Sequence, residues 1–337
     1  MRVLRIPRTP HSRRLAAAIT AALVILGLAV GGLAVFQNRT SPRMIAIFDS
    51  GVPGSKEATA ALNFAKSAKI DVVINYSSIN ASPSSVTHYL NDAKARGVKV
   101  ALSLKDLLGG PKLVSDPALD QDPGDRALHL VYGKTPDNQV RDIVARFDHH
   151  PAVWGYFISD ELPQDPTGPE GNAKWLKPLQ DRQRLIKSLT HKPTLTTMYW
   201  GDQREEFLKQ VKTGTGQLMV DYYPYPDTRA VQGKFYGSAE DSFKVGQTVQ
   251  AVAGDDSWFG LQGFSWQAEP DTAASFTFGP NPPAPNAQWM TYMAQLALRG
   301  GARNIAIFSY GYAQSTPGQL DQVKLAVTKI RALPEFG

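Results

Sequence analysis

Two adjacent acids, Asp160 and Glu161, end an apolar segment in the stretch HPAVWGYFISDELPQDP, residues 150–166. The apolar run before them is typical of a buried β-strand, and the prolines after them end it. A neighbouring negative charge can raise the pKa of a carboxyl group so that it keeps a proton near neutral pH. The two acids are therefore candidates for general acid–base catalysis, although they can equally cap the segment that follows.

Acids, amides and aromatic residues also stand at the ends of the other apolar segments. They are Asp49, Asn75, Tyr199, Trp200, Asp221, Tyr222, Tyr223, Gln262, Trp266 and Tyr310. Sugars present apolar C–H faces that stack on Trp and Tyr rings, and hydroxyl groups that bind carboxylates and amides. Cleavage of a glycosidic bond normally needs two carboxyl groups that flank it. The combination predicts a carbohydrate substrate, with Asp221 as a candidate partner of Glu161.

The elements that must position these residues alternate between strand and helix patterns. The predicted strands cover residues 44–50, 70–78, 98–106, 152–161, 194–200, 217–226, 257–266 and 303–312. Most are near-continuous apolar runs, as expected for a parallel sheet that is covered on both faces. Eight such units predict a single (β/α)8 barrel over residues 44–337. A doubly wound open sheet is the competitor, but it usually carries a glycine-rich phosphate turn, and the sequence contains neither GxGxxG nor a Walker motif.

A barrel builds its site where the strands end, so the candidate residues are expected to meet at one face. Consecutive residues of a strand point to opposite sides, so at most one of Asp160 and Glu161 faces the barrel axis unless the strand has already ended. We expect Glu161 to be the catalytic acid, Asp160 its helper and Asp221 the second acid. The alternative role for Asp221, which the sequence supports equally, is a structural hydrogen bond to a loop.

The N-terminal segment predicts a membrane anchor. Residues 1–14 contain five arginines and no acid, and residues 15–36 form an uncharged run of spanning length. The arginines are expected to stay in the cytoplasm, which places the barrel outside it, after a polar linker at residues 37–43. Cleavage within this segment would instead release a secreted protein.

Composition argues against several other classes of protein. The net charge of +6 comes mostly from the N-terminal arginines, so a basic groove for nucleic acid is not supported. There is no cysteine, which excludes disulfides and thiolate chemistry, and no HExxH or GxSxG motif is present. We therefore expect no metal, no cofactor and no nucleic-acid partner, and a monomeric protein.

Four motifs together resemble the glycoside hydrolase superfamily of (β/α)8 barrels. They are HPAVWGYFISDELP at strand four, VDYYPYP at strand six, WFGLQGFSW at strand seven and WMTYMAQLALRGGARNIAIFSYGY before and within strand eight. The first is similar to an "HPAV-x-GYY-x-x-DEP" pattern, with Leu162 inserted before the proline. The resemblance covers residues 44–335 and implies a barrel that acts on a poly- or oligosaccharide.

The same resemblance implies a role for Glu161. In the larger clan of retaining enzymes, strand four ends in Asn-Glu and the Glu is the acid/base, so Asp160 here replaces the Asn. That clan carries its nucleophile Glu at the end of strand seven, where this sequence has Gln262, with Glu269 just beyond it. This departure leaves a simple retaining mechanism without its second acid.

Other mechanisms remain open at this point. An inverting mechanism would pair Glu161 with a more distant base, Asp221 or Asp49. A substrate-assisted mechanism, as in chitinase-type barrels, would use Glu161, the adjacent Asp160 and a tyrosine. The candidate tyrosines are Tyr222 and Tyr223. A non-catalytic glycan-binding barrel, favoured by Gln262, and a structural envelope protein are the alternatives that involve no catalysis.

Overall fold

The computed structural model describes residues 42–108, 132–161, 169–200, 204–212, 216–225, 238–266 and 283–337. The chain divides into two units, Met1–Pro42 and Arg43–Gly337. The predicted basic segment, membrane anchor and nearly all of the linker fall outside the described residues. Within the described part of the chain, no helix has the length and apolar character needed to cross a bilayer.

The second unit contains the predicted eight strands, each followed by helix. The elements are β1 (Ile45–Asp49), α1 (Lys56–Ala68), β2 (Val72–Asn75), α2 (Pro83–Arg96), β3 (Lys99–Ser103), α3 (Pro136–Phe147), β4 (Val153–Ser159), α4 (Pro169–Leu189), β5 (Thr194–Tyr199), α5 (Arg204–Lys212), β6 (Gln217–Tyr222), α6 (Asp241–Ala253), β7 (Ser257–Gln262), α7 (Ala287–Gly300), β8 (Asn304–Phe308), α8 (Tyr310–Ser315) and α9 (Gln319–Arg331). Short 3₁₀ turns lie at Ser78–Asn80, Lys105–Leu108 and Gly254–Asp256.

The eight strands form a closed parallel barrel in sequential order, with β1 paired to β8. The predicted (β/α)8 fold is therefore confirmed. Several strands end earlier than the sequence predicts. The prediction that strand eight extends to residue 312 was wrong, because the Ser309 side chain accepts a hydrogen bond from the Tyr312 backbone N–H and so begins helix α8.

Side chains of the strands alternate between two apolar layers. The layer inside the barrel contains Ala46, Phe48, Val72, Ile74, Ala101, Phe157, Leu195, Met219, Trp258 and Ala306. The layer between barrel and helices contains the intervening residues, such as Ile45 and Ile47. Burial of each large apolar side chain stabilises the fold by roughly 1.5–3 kcal/mol. The interior is therefore a packed core rather than a pore, and any site must lie above it.

The sequence also fixes where the helices begin and end. Ser55 and Ser82 accept hydrogen bonds from the backbone N–H groups three residues later, which caps α1 and α2. Gly97 ends α2 in the left-handed conformation, with φ 71°. These caps set the short connections that direct each helix back along the barrel wall.

Candidate active site

Asp160 is held by two side chains from neighbouring strand ends. The Tyr76 hydroxyl donates a hydrogen bond of 2.8 Å to its Oδ1, and Lys105 Nζ lies 3.3 Å from its Oδ2. Lys105 Nζ also lies 4.4 Å from the centre of the Tyr76 ring, within range of a cation–π interaction. The Asp160 side chain is 26% exposed, so it reaches the surface at the mouth of the barrel with both oxygens already engaged.

Glu161 occupies a strained position at the same mouth. Strand β4 ends at Ser159, after an irregular register between Phe157 and Ser159, so both acids lie beyond the strand. The restriction that only one of them faces the axis therefore does not apply. The φ of Glu161 is 28°, in the left-handed region that disfavours a residue with a side chain. Its side chain is exposed, which leaves it accessible to a ligand.

Asp221 is the buried member of the acidic group. It is 3% exposed and lies on the lumen side of β6, two residues after Met219. Burial raises the pKa of Asp221 well above its usual value, and the negative charges of Glu161 and Asp160 raise it further. The nearby Tyr223 hydroxyl lowers it in part. Burial and the neighbouring negative charges therefore shift Asp221 toward its protonated form.

A glycine on the adjacent strand makes room for this carboxyl group. Asp221 pairs with Gly260 in the register of β6 and β7. A Cβ at Gly260 would lie 1.7 Å from Asp221 Oδ1 and 2.8 Å from its Cγ. No side chain larger than hydrogen fits there, so the residue on β7 fixes where the acid on β6 can lie.

Aromatic rings surround the acids. The Tyr76 ring stacks on Phe157 at 5.3 Å, and Tyr223 stacks on Phe308 at 5.8 Å. Tyr223 also contacts Trp266, with ring centroids 6.4 Å apart. These rings exclude water from below the carboxyl groups and strengthen the electrostatic interactions between them.

The structure brings together six of the residues that the sequence singled out. They are Tyr199, Asp160, Glu161, Asp221, Tyr223 and Trp266. Tyr199 pairs with Asp221 in register, is half-buried, and shares the lumen side with Leu195. The residues lie at the ends of β5 and β6 and just after β4, β6 and β7, as a site at the C-terminal end of a barrel requires.

Asp49 and Asn75 are not part of this group, because they point outward between barrel and helices. Asn75 Nδ2 donates to Asp49 Oδ2 at 3.0 Å and to the Gly51 carbonyl oxygen at 2.8 Å, and the Gly51 N–H donates to Asp49 Oδ1 at 3.0 Å. Burial raises the pKa of Asp49 to about 6, against the lowering effect of these hydrogen bonds. The pair fastens the turn after β1. Because side chains alternate along a strand and Phe48 faces the lumen, the sequence indicates that Asp49 points outward.

Three predicted sugar-binding aromatics also lie in the outer layer. The Tyr222 hydroxyl donates to the Ser238 carbonyl oxygen at 2.9 Å, which ties β6 to the start of α6. The Tyr310 ring packs on Phe64 of α1 at 5.5 Å. Trp200 packs against the outer core. These three rings lie on the outer side of the strands. They are outside the mouth of the barrel that contains Asp160, Glu161 and Asp221, which we call the acidic mouth.

Both polar atoms of the Gln262 side chain form hydrogen bonds with the backbone of neighbouring loops. Its Oε1 accepts a hydrogen bond from the Tyr225 N–H at 2.9 Å, and its Nε2 donates to the carbonyl oxygens of Tyr225 at 2.9 Å and Phe264 at 3.1 Å. The side chain is completely buried. Gln262 therefore holds the loop after β6 in place. Glu269, the nearest acid after it, lies outside the described residues.

The sequence places Tyr76 and Lys105 at strand ends, but the sequence interpretation did not select them as site residues. Both follow strands, and Tyr76 comes two residues after Ile74, which faces the lumen. The alternation of side chains along β2 would have identified Tyr76 as a residue that faces the lumen. Its hydrogen bond with Asp160, however, depends on how the ends of β2 and β4 approach each other in three dimensions. Among the described residues, no three His, Asp or Glu side chains converge as metal ligands.

Comparisons with known proteins identify the fold. No family model matches the chain, and no curated protein matches it. A β-galactosidase from Rahnella sp. R3 is similar in structure, with a TM-score of 0.54 and 14% identity over 89% of this chain and 57% of that one. A β-galactosidase from Bacillus circulans sp. alkalophilus has a TM-score of 0.51 and 11% identity over 81% and 51% of the two chains. The likeness establishes the barrel fold. This chain spans little more than half the length of either enzyme.

Proposed function

We propose that the protein is a glycoside hydrolase that acts on a poly- or oligosaccharide, with Glu161 as the general acid. The observation that carries the proposal is the convergence of Asp160, Glu161 and Asp221 at one mouth among aromatic rings. Glycoside hydrolysis needs two carboxyl groups, one of which holds a proton. The raised pKa of Asp221 supports a carboxyl group here that keeps its proton at higher pH than an ordinary aspartate does.

The exposures of the three acids support a division of roles. Glu161 is exposed and can reach a glycosidic oxygen, whereas Asp221 is 3% exposed beneath the rings. Asp160 is engaged by Tyr76 and Lys105. The negative charges of Glu161 and Asp160 raise the pKa of Asp221, so this group of acids favours a bound proton. Glu161 is the member that delivers it, Asp160 assists, and Asp221 is the second acid.

We propose that residues 15–36 anchor the protein in the cell membrane, with the barrel outside the cytoplasm. The uncharged length of this run and the arginines before it support this topology. Protease added to intact cells should then degrade the barrel while leaving an N-terminal cytoplasmic tag protected. Release of the whole barrel into the medium would instead indicate cleavage and secretion.

The direct test is incubation of the full chain with a panel of polysaccharides that differ in sugar and linkage. Release of new reducing ends supports hydrolysis, and NMR of the first anomer formed distinguishes retention from inversion. Turnover that persists in Glu161→Gln at the wild-type rate would contradict the assignment of the acid.

A non-catalytic glycan-binding barrel is the second candidate, and Gln262 favours it. The strand-seven position where retaining enzymes carry their nucleophile holds an amide whose three hydrogen bonds all go to backbone. On this alternative, the mouth would bind a glycan and leave it intact. Saturable glycan binding without new reducing ends would support it, and measurable turnover would exclude it.

A further inference from the structure

Cations are concentrated at the end of the barrel opposite to the acidic mouth. The strands begin at this end, which we call the N-terminal face, and the helices of the barrel wall run back to it. Seven helices carry cations in their last turns. These residues are Lys66, Lys94, Arg96, Arg146, Lys187, Lys209, Lys212, Arg299, Lys329 and Arg331.

The helix dipole explains part of this pattern, because cations near a helix C-terminus stabilise it. It does not explain Lys99, Lys192 and Arg303. Lys99 is the exposed first residue of β3, and the other two lie in the loops before β5 and β8. The face therefore carries cations beyond its helix ends, while three of the helix-end arginines, Arg96, Arg146 and Arg299, are paired with Asp92, Asp142 and Glu335.

Two depressions on this face are lined by cations. The first has a volume of about 330 Å³, and its cations are Lys66, Lys69, Arg96 and Arg331. Its acid, Asp71, is engaged by Arg331 Nη2 at 2.6 Å and by the Ile45 N–H at 2.8 Å, so its charge is compensated within the protein. Lys66 and Lys69 are exposed and point their charge into solvent.

The second depression lies on the other side of the same face, at the starts of β5 and β6. It has a volume of about 190 Å³, and its cations are Lys187 and Lys192. The acid at its edge, Asp256, is paired with Lys212 at 2.9 Å. Because Arg96 is paired with Asp92 at 3.2 Å and Arg331 with Asp71, the excess charge of the first depression is that of its two lysines. The excess charge of the second depression is likewise that of Lys187 and Lys192.

The chain also enters the barrel at this face, because β1 starts at Ile45. A seven-residue linker at 37–43 spans at most about 25 Å. A membrane anchor at residues 15–36 would therefore hold the N-terminal face close to the bilayer, within a few Debye lengths of about 8–10 Å. We propose that this face docks on the anionic lipid headgroups of the bilayer and turns the acidic mouth away from the membrane. The inference rests on the membrane anchor proposed above.

Energy transfer to a lipid dye tests the docking in the full chain. The protein has no cysteine, so one introduced thiol carries the donor. Ser67→Cys labels the N-terminal face, and Ser315→Cys labels the mouth end; both serines are exposed and donate to the carbonyl oxygen three residues before. The anionic vesicles contain phosphatidylcholine with about 30% phosphatidylglycerol. On these vesicles, energy transfer from a donor at position 67 should exceed energy transfer from a donor at position 315. The difference should shrink in pure phosphatidylcholine and in high salt.

A double variant that neutralises two lysines of the first depression, Lys66→Gln with Lys69→Asn, should reduce the dependence on anionic lipid. Asn suits position 69, whose φ is 58°. The matched control is Lys56→Gln with Lys244→Gln. It removes two exposed lysines near the N-terminal ends of α1 and α6, which lie at the mouth end of the barrel, and should leave the dependence on anionic lipid unchanged. Equal transfer from both labels on every vesicle overturns the docking.

The anchor has its own readout in flotation with zwitterionic vesicles. If the full chain does not float with them, the anchor fails as a proposal. Salt-sensitive flotation with anionic vesicles alone would then still support the docking, and no flotation with either would overturn it.

Discussion

Asp221 and Gly260 face each other across strands β6 and β7, and the acid occupies the space where a side chain at position 260 would lie. A Cβ there would be 1.7 Å from Asp221 Oδ1. The buried acid and the missing side chain are therefore one structural feature. A variant that fills this space tests whether the position of Asp221 matters for activity.

Gly260→Ala should displace the Asp221 carboxyl group and strain the barrel. We expect a loss of about 1–3 kcal/mol in the free energy of unfolding, as for overpacked cores, and a fall in hydrolysis larger than this loss explains. Chemical unfolding and initial rates measure the two effects. Gly311→Ala is the control, because an added Cβ there has no atom within 4 Å. Full activity in a folded Gly260→Ala protein would show that the position of Asp221 is unimportant.

Tyr76→Phe should weaken catalysis without unfolding the protein. The change removes the hydrogen bond of 2.8 Å to Asp160 and keeps the ring stacked on Phe157. Because Asp160 is partly exposed, we expect a modest fall of about tenfold in kcat/KM, which corresponds to roughly 1.4 kcal/mol. The fall should be in kcat, with an unchanged Tm. Tyr292→Phe, at an exposed position, should leave kcat and Tm unaltered. An equal fall in kcat in Tyr292→Phe would show that the effect of Tyr76→Phe is not specific to the hydrogen bond with Asp160.

Asp49 should make the barrel less stable as the pH rises from about 4 to about 6. Burial raises its pKa to about 6 from 3.8, so the folded protein holds a proton that the unfolded chain releases. The stability is greatest below pH 4 and is lost as the pH passes through the folded pKa, by about 3 kcal/mol in total. Asp49→Asn should remove this part of the pH dependence in chemical unfolding, and the exposed Asp255→Asn should keep it. Parallel curves for wild type and Asp49→Asn would contradict the effect.

Gln262→Glu should destabilise the protein without creating a nucleophile. The new side chain would lose the two hydrogen bonds donated to the Tyr225 and Phe264 carbonyl oxygens in a fully buried position. Each acceptor left unsatisfied costs about 1–3 kcal/mol, so a loss of about 2–6 kcal/mol is expected. Gln314→Glu, at an exposed helix position, is the matched control. A stable and more active Gln262→Glu protein would show that strand seven can supply the second carboxylate.

The barrel could be predicted from the sequence because its signal repeats. Eight apolar runs, each followed by a helical pattern, leave few other folds. The orientation of single residues was harder to predict. Parity along β1 and β6 separates Asp49 and Tyr222, which point outward, from Phe48 and Asp221, which point inward. Contacts between distant strands, such as Tyr76 with Asp160, depend on barrel closure, which single-strand patterns do not contain.

The most direct measurement of the central claim compares Glu161→Gln with Glu57→Gln on a polysaccharide that the wild type hydrolyses. Glu57 is an exposed acid in the first turn of α1 and is not part of the acidic mouth. Loss of a general acid should lower kcat by about 10²–10⁴-fold while glycan binding persists, and Glu57→Gln should keep the wild-type rate. Unchanged kcat in a folded Glu161→Gln protein would contradict the account.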